Sequence, residues 1–167
     1  MCRDCGVEKK LTDYPNRFIT DGKLVRYRRK QPFCSVCDSK KNSDSVHKNH
    51  VNYIKARVRD MKRRAFTRAL SVSKEVNESF FIDLFQKQKG LCCLSGLPMT
   101  WGSEGQHGNS GVRRGTNISI DRINPNLGYE VNNVRLVCDR ANKLKSNMDD
   151  FDLYFWSSII SETMRKN

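Results

Sequence analysis

Two closely spaced cysteine pairs near the N-terminus constrain the fold of this chain more than any other feature. One pair is Cys2 and Cys5, the other is Cys34 and Cys37, and two residues separate the members of each pair. This spacing lets both sulfur atoms of a pair bind one ion at about 2.3 Å, and two such pairs complete a tetrahedral site. Residues 1–44 are therefore predicted to form a four-cysteine module around a structural zinc ion, with reduced, unligated cysteine pairs as the alternative.

The charge of the chain indicates the kind of partner that it binds. Its 31 Lys and Arg residues outnumber 18 Asp and Glu residues, which gives a formal net charge of +13 over 167 residues. Neutralising phosphates releases condensed counterions, so this excess favours binding to a polyanion. We expect a polyanionic partner, with a basic ribosome-associated or merely soluble protein as the alternative.

No stretch of the sequence resembles a membrane span or a signal peptide. A span requires roughly 20 consecutive apolar residues, and no run of the sequence approaches that length. We therefore expect no membrane partner and a cytoplasmic location with DNA at the nucleoid. Thiols stay reduced there, and paired cysteines more often bind a metal than form a disulfide.

Two stretches with a helical pattern follow the cysteine module. Apolar residues recur at spacings of three and four, which predicts a helix from about residue 45 to 70 and another from about residue 74 to 88. We expect the region 45–88 to pack one stripe on the body and to offer basic side chains to phosphates, with an ordinary solvated face as the alternative. The basic residues expected to contact nucleic acid are Arg57, Lys62, Arg63 and Arg64.

The C-terminal half combines strand and helix patterns. Residues 118–120 and 134–137 are predicted strands, and residues 124–128 form a turn cluster between them. A helix is predicted to begin near Asp139, and a last amphipathic helix over residues 151–164 is expected to close the core. The fold class is therefore predicted to be α+β.

The segment ISIDRINPNLGYEVNNVRLVCDRANKLK, residues 118–145, resembles the ββα-metal motif of HNH endonucleases. In that family a strand ends in Asp-His, a glycine-containing turn leads to an Asn before the second strand, and a helix then presents a final His or Asn. The N-terminal cysteine module resembles the zinc knuckles that precede this motif in small phage, homing and restriction members. The resemblance implies an HNH core over residues 89–147, with the zinc module before it, flanking helices, and a C-terminal helix over residues 148–167.

The resemblance also assigns roles to individual residues. It implies that Asp121 and Asn142 bind a catalytic Mg²⁺ or another divalent cation, because oxygen ligands suit that ion. It implies that Asn133 holds the connection between the two strands by hydrogen bonds to the backbone. Arg122 stands where the family has its histidine general base, a departure that is similar to the Asp-Arg pattern of PacI-like rare-cutting restriction enzymes. Arginine cannot accept a proton at working pH, although it can bind the scissile phosphate.

The proton acceptor must then come from elsewhere in the chain. His47 and His50 are favoured because imidazole titrates near working pH, and because both fall at the start of the first predicted basic helix, three residues apart on one face. Tyr129, after the turn between the strands, is a further candidate catalytic residue. Lys143 and Lys145 are expected to contact phosphate.

The resemblance therefore implies a DNA endonuclease that hydrolyses phosphodiester bonds with one divalent metal, as a restriction, homing or phage enzyme, and we expect double-stranded DNA as its partner. The alternatives are a non-catalytic zinc-finger DNA-binding protein on the same scaffold and an RNA-directed nuclease. A homodimer is a possible assembly, because one metal centre cuts one strand and a palindromic site suits a two-fold pair.

The remaining cysteines, Cys92, Cys93 and Cys138, are not expected to bind a second metal. The positions that would complete two further pairs hold Ser95 and Ala141.

Overall fold

The computed structural model describes residues 1–21, 25–30, 32–104, 112–113 and 115–166. Within these ranges the side chains of residues 11, 16–21, 25–30, 103–104 and 112–113 are not described. The chain divides into two compact units, residues 1–46 and 47–167. The described elements are helices and antiparallel strand pairs, which confirms a mixed α+β composition.

The first unit combines a hairpin with a helix. After a short 3-10 turn at Leu11–Asp13, strand β1 (Asn16–Asp21) pairs antiparallel with β2 (Val25–Lys30). Helix α1 (Ser35–His47) follows. The sequence patterns predicted neither strand of this hairpin. Strand pairing satisfies backbone N–H and C=O groups without a long apolar run, so a hairpin can form where the sequence shows no apolar pattern.

The predicted helix over residues 45–70 is interrupted. Helix α1 ends at His47, and α2 (His50–Thr67) begins after a break. Asn49 lies in an extended conformation at the break, and its side chain accepts a hydrogen bond from the backbone N–H of Asn52 at 2.8 Å. An Asn N-cap of this kind starts a new helix. The prediction that His47 and His50 share one helical face is therefore wrong.

The second unit is built on α2. Its buried face consists of Tyr53, Ile54, Val58, Met61 and Ala65, close to the predicted stripe. Helix α3 (Glu78–Lys87) begins later than predicted because the side chain of Asn77 accepts from the backbone N–H of Phe80 and caps it. Helix α2 packs against α3, and each of the two helices contacts one strand of the central hairpin described next.

A hairpin and a short helix form the centre of this unit. Two-residue strands β3 (Ser103–Glu104) and β4 (Val112–Arg113) pair first. Strand β5 (Ile118–Arg122) then pairs antiparallel with β6 (Val134–Cys138), so that Asp121 lies opposite Arg135. Helix α4 (Asp139–Lys145) follows β6 directly. Strands β5 and β6 match the predicted strands to within two residues.

The last helix does not close the core, contrary to the prediction. Helix α5 (Asp150–Lys166) has no buried residue along its length, and most of its aromatic and aliphatic side chains are exposed. At 3.6 residues per turn its apolar side chains lie on all sides of the helix, and the body of the unit covers little of their surface.

Among the helices of the described residues, none has both the length and the apolar character needed to cross a membrane.

Candidate functional site

The four N-terminal cysteines come together in the first unit. Their sulfur atoms all lie within 4.8 Å of one another. Ligand sulfurs in a tetrahedral zinc site lie about 3.8 Å apart when each bond is about 2.3 Å long, so this cluster suits zinc. Cys2, Cys34 and Cys37 are buried and Cys5 is exposed. The cluster could therefore hold a metal such as zinc, in a closed thiolate set that is typical of a structural site.

The backbone around the cluster favours the thiolate form of Cys2. The turn that carries it is closed by hydrogen bonds from Cys2 N to Val7 O and from Gly6 N to Cys2 O, both at 3.0 Å. The backbone N–H of Cys34 donates to Cys2 Sγ at 3.2 Å, and this contact contributes most to lowering the pKa of Cys2 to about 6. Burial raises the pKa of Cys37. Because a bound zinc ion requires deprotonated sulfur, these N–H···S contacts prepare the turn for a metal.

The same backbone geometry occurs a second time, in the second unit. Cys92 N donates to Leu97 O, and Gly96 N donates to Cys92 O, both at 2.9 Å. Gly96 has a φ of 69°, close to the 66° of Gly6 in the first turn. Cys138 N donates to Cys92 Sγ at 3.1 Å. Cys138 also precedes a helix directly, as Cys34 does. The turn at 92–97 and the start of α4 therefore have the form of a second pair of zinc knuckles.

This second pair has only two of its four thiols in the ligand positions. Ser95 and Ala141 occupy the other two, and Cys93 is exposed. Burial, followed by the neighbouring Cys92, raises the pKa of Cys138 to about 11. Hydrogen bonds from Ser95 and from the backbone of Cys138 outweigh burial and lower the pKa of Cys92. The turn at 92–97 and the start of α4 are thus joined by an N–H···S hydrogen bond, without a complete set of metal ligands.

Asn133 closes the connection between β5 and β6. Its side-chain amide donates to Asn124 O at 3.1 Å and to Gly128 O at 2.8 Å, and its Oδ1 accepts from Asn124 N at 2.8 Å. Three backbone groups of the connection are therefore satisfied by one buried side chain. This arrangement fixes the path of the chain just after Arg122.

Asp121 lies at the centre of a buried ion-pair network. Its Oδ2 accepts from Arg135 Nε at 2.9 Å, and Lys145 Nζ lies 3.3 Å from its Oδ1. Lys145 is fully buried and also donates to Arg122 O at 2.8 Å. The Nη atoms of Arg135 donate to the carboxylate of Asp150 at the start of α5. One carboxylate thus links β5, β6 and α4, and Arg135 extends the link to α5.

The charges in this network reinforce one another. Burial alone would lower the pKa of Arg135, but its hydrogen bonds to Asp150 and Asp121 outweigh burial and raise that pKa. The hydrogen bond from Arg135 lowers the pKa of Asp150. Lys145, expected from the sequence to contact phosphate, instead binds Asp121 in the interior, so its placement does not support that expectation.

Asn142 reaches the same strand from α4. Its Nδ2 donates to Ser119 Oγ at 2.7 Å and to Ile120 O at 3.1 Å. These two bonds hold the amide against β5 immediately before Asp121. Within the described part of the chain, no group donates to its Oδ1, which leaves one oxygen acceptor available at the junction of β5 and α4.

Arg122 and Tyr129 lie together at the end of the hairpin. Arg122 Nη1 donates to Leu127 O at 2.8 Å, and its guanidinium carbon lies 5.4 Å from the centre of the Tyr129 ring. Tyr129 is buried and Arg122 is half-buried. A guanidinium has five N–H donors, so most of them remain for a ligand.

The two histidines favoured as bases lie elsewhere in the second unit. His47 Nδ1 is 2.6 Å from Trp101 O, and its ring contacts Tyr53. The His50 ring stacks on Phe85 with the ring centres 4.9 Å apart, and it also contacts Trp101. The described contacts of these histidines are with this aromatic group, and none is with Asp121, Arg122 or Asn142.

Three arginines of α2 contact one acidic residue, Asp60. Asp60 pairs with Arg57 at 2.8 Å and with Arg63 at 3.5 Å, and its backbone oxygen accepts from Arg64 Nε. Lys62 is exposed on the same helix. On α4, Lys143 is exposed and pairs with Asp139 at 2.7 Å. Because an ion pair at an exposed surface is weak, Arg63 can exchange Asp60 for a phosphate, whereas the Asp139 carboxylate that pairs with Lys143 is itself buried.

Arg135 and Asp150 were not among the predicted site residues. A signal for Arg135 exists in the sequence, since it is the one charged residue of the otherwise apolar strand VRLVC. A charged side chain in such a strand requires a buried partner, but sequence alone does not identify that partner.

No protein-family model, curated protein or solved structure matches the chain.

Replacing Asp121 by Ala is expected to destabilise the chain by roughly 3–5 kcal/mol, because it leaves two cations buried without their shared anion. Urea unfolding followed by circular dichroism measures the change. Glu162→Gln, which breaks the pair with Lys166 that is exposed on both sides, is the matched control and should cost less than about 1 kcal/mol. Equal effects of the two substitutions would show that the network does not stabilise the fold.

Replacing both Ser95 and Ala141 by Cys is expected to raise the zinc content from one ion per chain to two, because it completes the second pair of knuckles. Atomic absorption on purified protein measures the stoichiometry. A Ser157→Cys, Ser158→Cys double variant adds the same number of thiols on exposed α5 and should retain one ion. A zinc content of one in the Ser95, Ala141 variant would show that the two turns do not share a ligand geometry.

Proposed function

We propose that the chain is a DNA endonuclease of the HNH class, which hydrolyses phosphodiester bonds with a divalent cation. The supporting observation is the junction of β5 and α4, where Asn142 is bonded to the strand next to Asp121 and Arg122. A carboxylate, an amide and a guanidinium therefore occupy the end of one hairpin. The order of strand, connection, strand and helix over residues 118–145 also agrees with a ββα-metal core.

The residues at this junction fit a divalent cation in their chemistry. Carboxylate and amide oxygens are the ligands that Mg²⁺ prefers. Asn142 has an available Oδ1, and each oxygen of an ionised carboxylate can accept more than one bond. A cation bound to Asp121 must compete with the Lys145 ammonium, which lies 3.3 Å from Oδ1. When bound, such an ion would polarise the scissile phosphate and stabilise the charge on the leaving oxygen.

Arg122 supplies the second positive charge in this proposal. Its contacts with Leu127 O and with the Tyr129 ring hold the guanidinium in place, so little ordering is needed when a phosphate binds. A fixed guanidinium can bind two phosphate oxygens at once and stabilise the negative charge that develops on them. Arg122 therefore acts as a phosphate-binding group and leaves the role of base to another residue.

Of the three candidate bases, Tyr129 is the one whose ring contacts the Arg122 guanidinium. His47 and His50 make their described contacts with Trp101 and other aromatic residues instead. If either histidine accepts the proton, its side chain must leave these contacts or act through water. Among the sequence-derived candidates, proximity to Arg122 therefore favours Tyr129.

A second candidate function is DNA binding without cleavage. The observation that favours it is the ion pairing of both Asp121 oxygens, because a carboxylate that is already neutralised by Arg135 and Lys145 has less need of a metal. In this alternative the basic surface of α2 and Arg122 would bind the DNA backbone, and the hairpin would serve as a scaffold.

Incubation of the purified protein with supercoiled plasmid distinguishes the two functions. The endonuclease proposal predicts nicked or linear DNA with Mg²⁺ and none with excess EDTA. Arg122→Ala and Asn142→Ala should each lower the cutting rate by about 10²- to 10³-fold, since the first removes the group that binds the reacting phosphate and the second removes a proposed ligand of the metal ion. Gel electrophoresis of timed samples measures the rates.

Arg3→Ala serves as the control, because it removes an exposed arginine of the first unit, and it should leave the rate within a few-fold. Thermal melting of each variant checks that folding is retained. Tight, salt-dependent binding without cutting by the wild-type protein would support the second candidate and exclude the first.

A further inference from the structure

Phe66 is the most exposed of the large apolar side chains in the described part of the chain. It lies near the end of α2 and is 90% exposed, so its ring is almost entirely surrounded by water. Aromatic residues are less favourable in helices than Ala, Lys or Glu, and a ring that stays in water gains nothing from burial. Phe66 therefore contributes little to the stability of its own unit.

Three cations share the exposed side of α2 with this ring. Successive residues of a helix are about 100° apart, which places Lys55, Arg59 and Lys62 within about 40° of Phe66 around the helix axis. All three are exposed. The acidic residue of α2, Asp60, pairs with other arginines of the helix, and among the described residues no ion pair neutralises these three cations. We call Lys55, Arg59, Lys62 and Phe66 the α2 stripe.

The α2 stripe lies apart from the packed side of the helix. The buried residues Ile54, Val58, Met61 and Ala65 centre about 100° away from the stripe around the axis. Helix α2 packs on α3 and β5, and this packing uses the buried side. A partner can therefore bind the α2 stripe without displacing a residue of the core.

The cations of the stripe suit a phosphate backbone. Lys55 and Lys62 are separated by about 10 Å along the helix at about 1.5 Å per residue. One strand of a duplex has a phosphate about every 3.4 Å along its axis, so this length corresponds to about three phosphates. The excess of positive charge in the whole chain, +13, strengthens the attraction of a polyanion.

The ring of the stripe suits the face of a base. Aromatic side chains stack on bases of any sequence, because every base has a π-face. In an intact duplex the neighbouring base pairs already cover both faces of each base, so a ring can stack only where the strand is unpaired. An anionic membrane surface is a poorer match, because helices that lie on membranes bury several large apolar residues along one face. The α2 stripe has a single ring among its cations.

We propose that the α2 stripe binds an unpaired segment of a DNA strand. Lys55, Arg59 and Lys62 contact its phosphates, and Phe66 stacks on one of its bases. This inference rests on the proposed action on DNA, and it adds the class of substrate: DNA in which a single-stranded segment adjoins a duplex, as at an overhang, a gap or a branch.

Fluorescence anisotropy of the full chain with labelled oligonucleotides tests the proposal, in buffer without Mg²⁺ so that binding is measured apart from cutting. Three probes of equal length are compared: a single strand, an abasic strand with phosphates but no bases, and an intact duplex. Phe66→Ala should raise the Kd for the single strand roughly 5- to 100-fold, because one stacked base is lost. The Kd values for the other two probes should stay within about two-fold, because their phosphate contacts are unchanged.

Matched variants separate stacking from charge and from folding. Phe66→Trp keeps an aromatic ring and should bind the single strand at least as tightly as the wild type. Lys62→Ala should weaken binding to all three probes alike, because it removes a phosphate contact. Leu97→Ala truncates a half-exposed apolar side chain outside the stripe and should leave all three Kd values unchanged. Circular dichroism confirms that each variant keeps its helices.

The proposal would be overturned by a wild-type chain that binds the single strand no more tightly than the abasic strand, or by a Phe66→Ala variant that loses duplex binding equally. Phe66-dependent binding to phosphatidylserine vesicles without a preference for bases would also overturn it. Plasmid cutting without this preference would leave the endonuclease proposal intact. Phe66-dependent binding of the single strand by a chain that does not cut would support the inference and exclude cleavage alone.

Discussion

The carboxylate of Asp121, buried between Arg135 and Lys145, is the interaction on which the second unit depends. It joins the two strands of the hairpin to the helix that follows them, and Arg135 passes the connection on to α5 through Asp150. Burying such a network costs free energy because its charges lose their hydration. Removing one member also costs free energy, because its partner is left as an unpaired buried charge. The same carboxylate is an oxygen ligand of the proposed metal site, so in this proposal the ion-pair network and the metal compete for one side chain.

The cysteine turns of the two units share one backbone geometry. The first unit has four thiols placed for one metal ion, with their sulfur atoms within 4.8 Å of one another. The second unit repeats the turn and its N–H···S bond but retains only Cys92 and Cys138 in ligand positions. There the hydrogen bonds of the turn, together with the packing of β5 and β6, maintain the geometry without a complete ligand set. The same turn geometry thus belongs to a four-cysteine cluster that could hold a metal in one unit and joins the turn at 92–97 to the start of α4 in the other.

The sequence predicted those features that depend on local spacing. The four-cysteine cluster, strands β5 and β6, and the buried stripe of α2 follow from two-residue gaps, from a turn cluster and from helical periodicity. It did not predict features decided by partners far away in the chain. Asn49 interrupts a continuous helical pattern by capping α2. Lys145 is buried because it pairs with Asp121. The apolar side chains of α5 remain exposed because the rest of the unit does not cover them. The periodicity of apolar residues predicts which face of a helix is apolar, but it does not identify the residues that pack on that face.

The proposed catalytic site depends on a divalent cation that joins Asp121 and Asn142 at a phosphodiester. The most direct test is a crystal structure of the protein with Mn²⁺ and a DNA duplex that carries non-hydrolysable phosphates, with anomalous diffraction used to locate the metal. We expect a manganese peak bound by Asp121 and by Asn142 Oδ1, with the Lys145 ammonium moved away from Asp121 and a phosphate contacting Arg122. Bound DNA with no manganese peak at this junction and with the Asp121–Lys145 pair intact would contradict the proposed catalytic site.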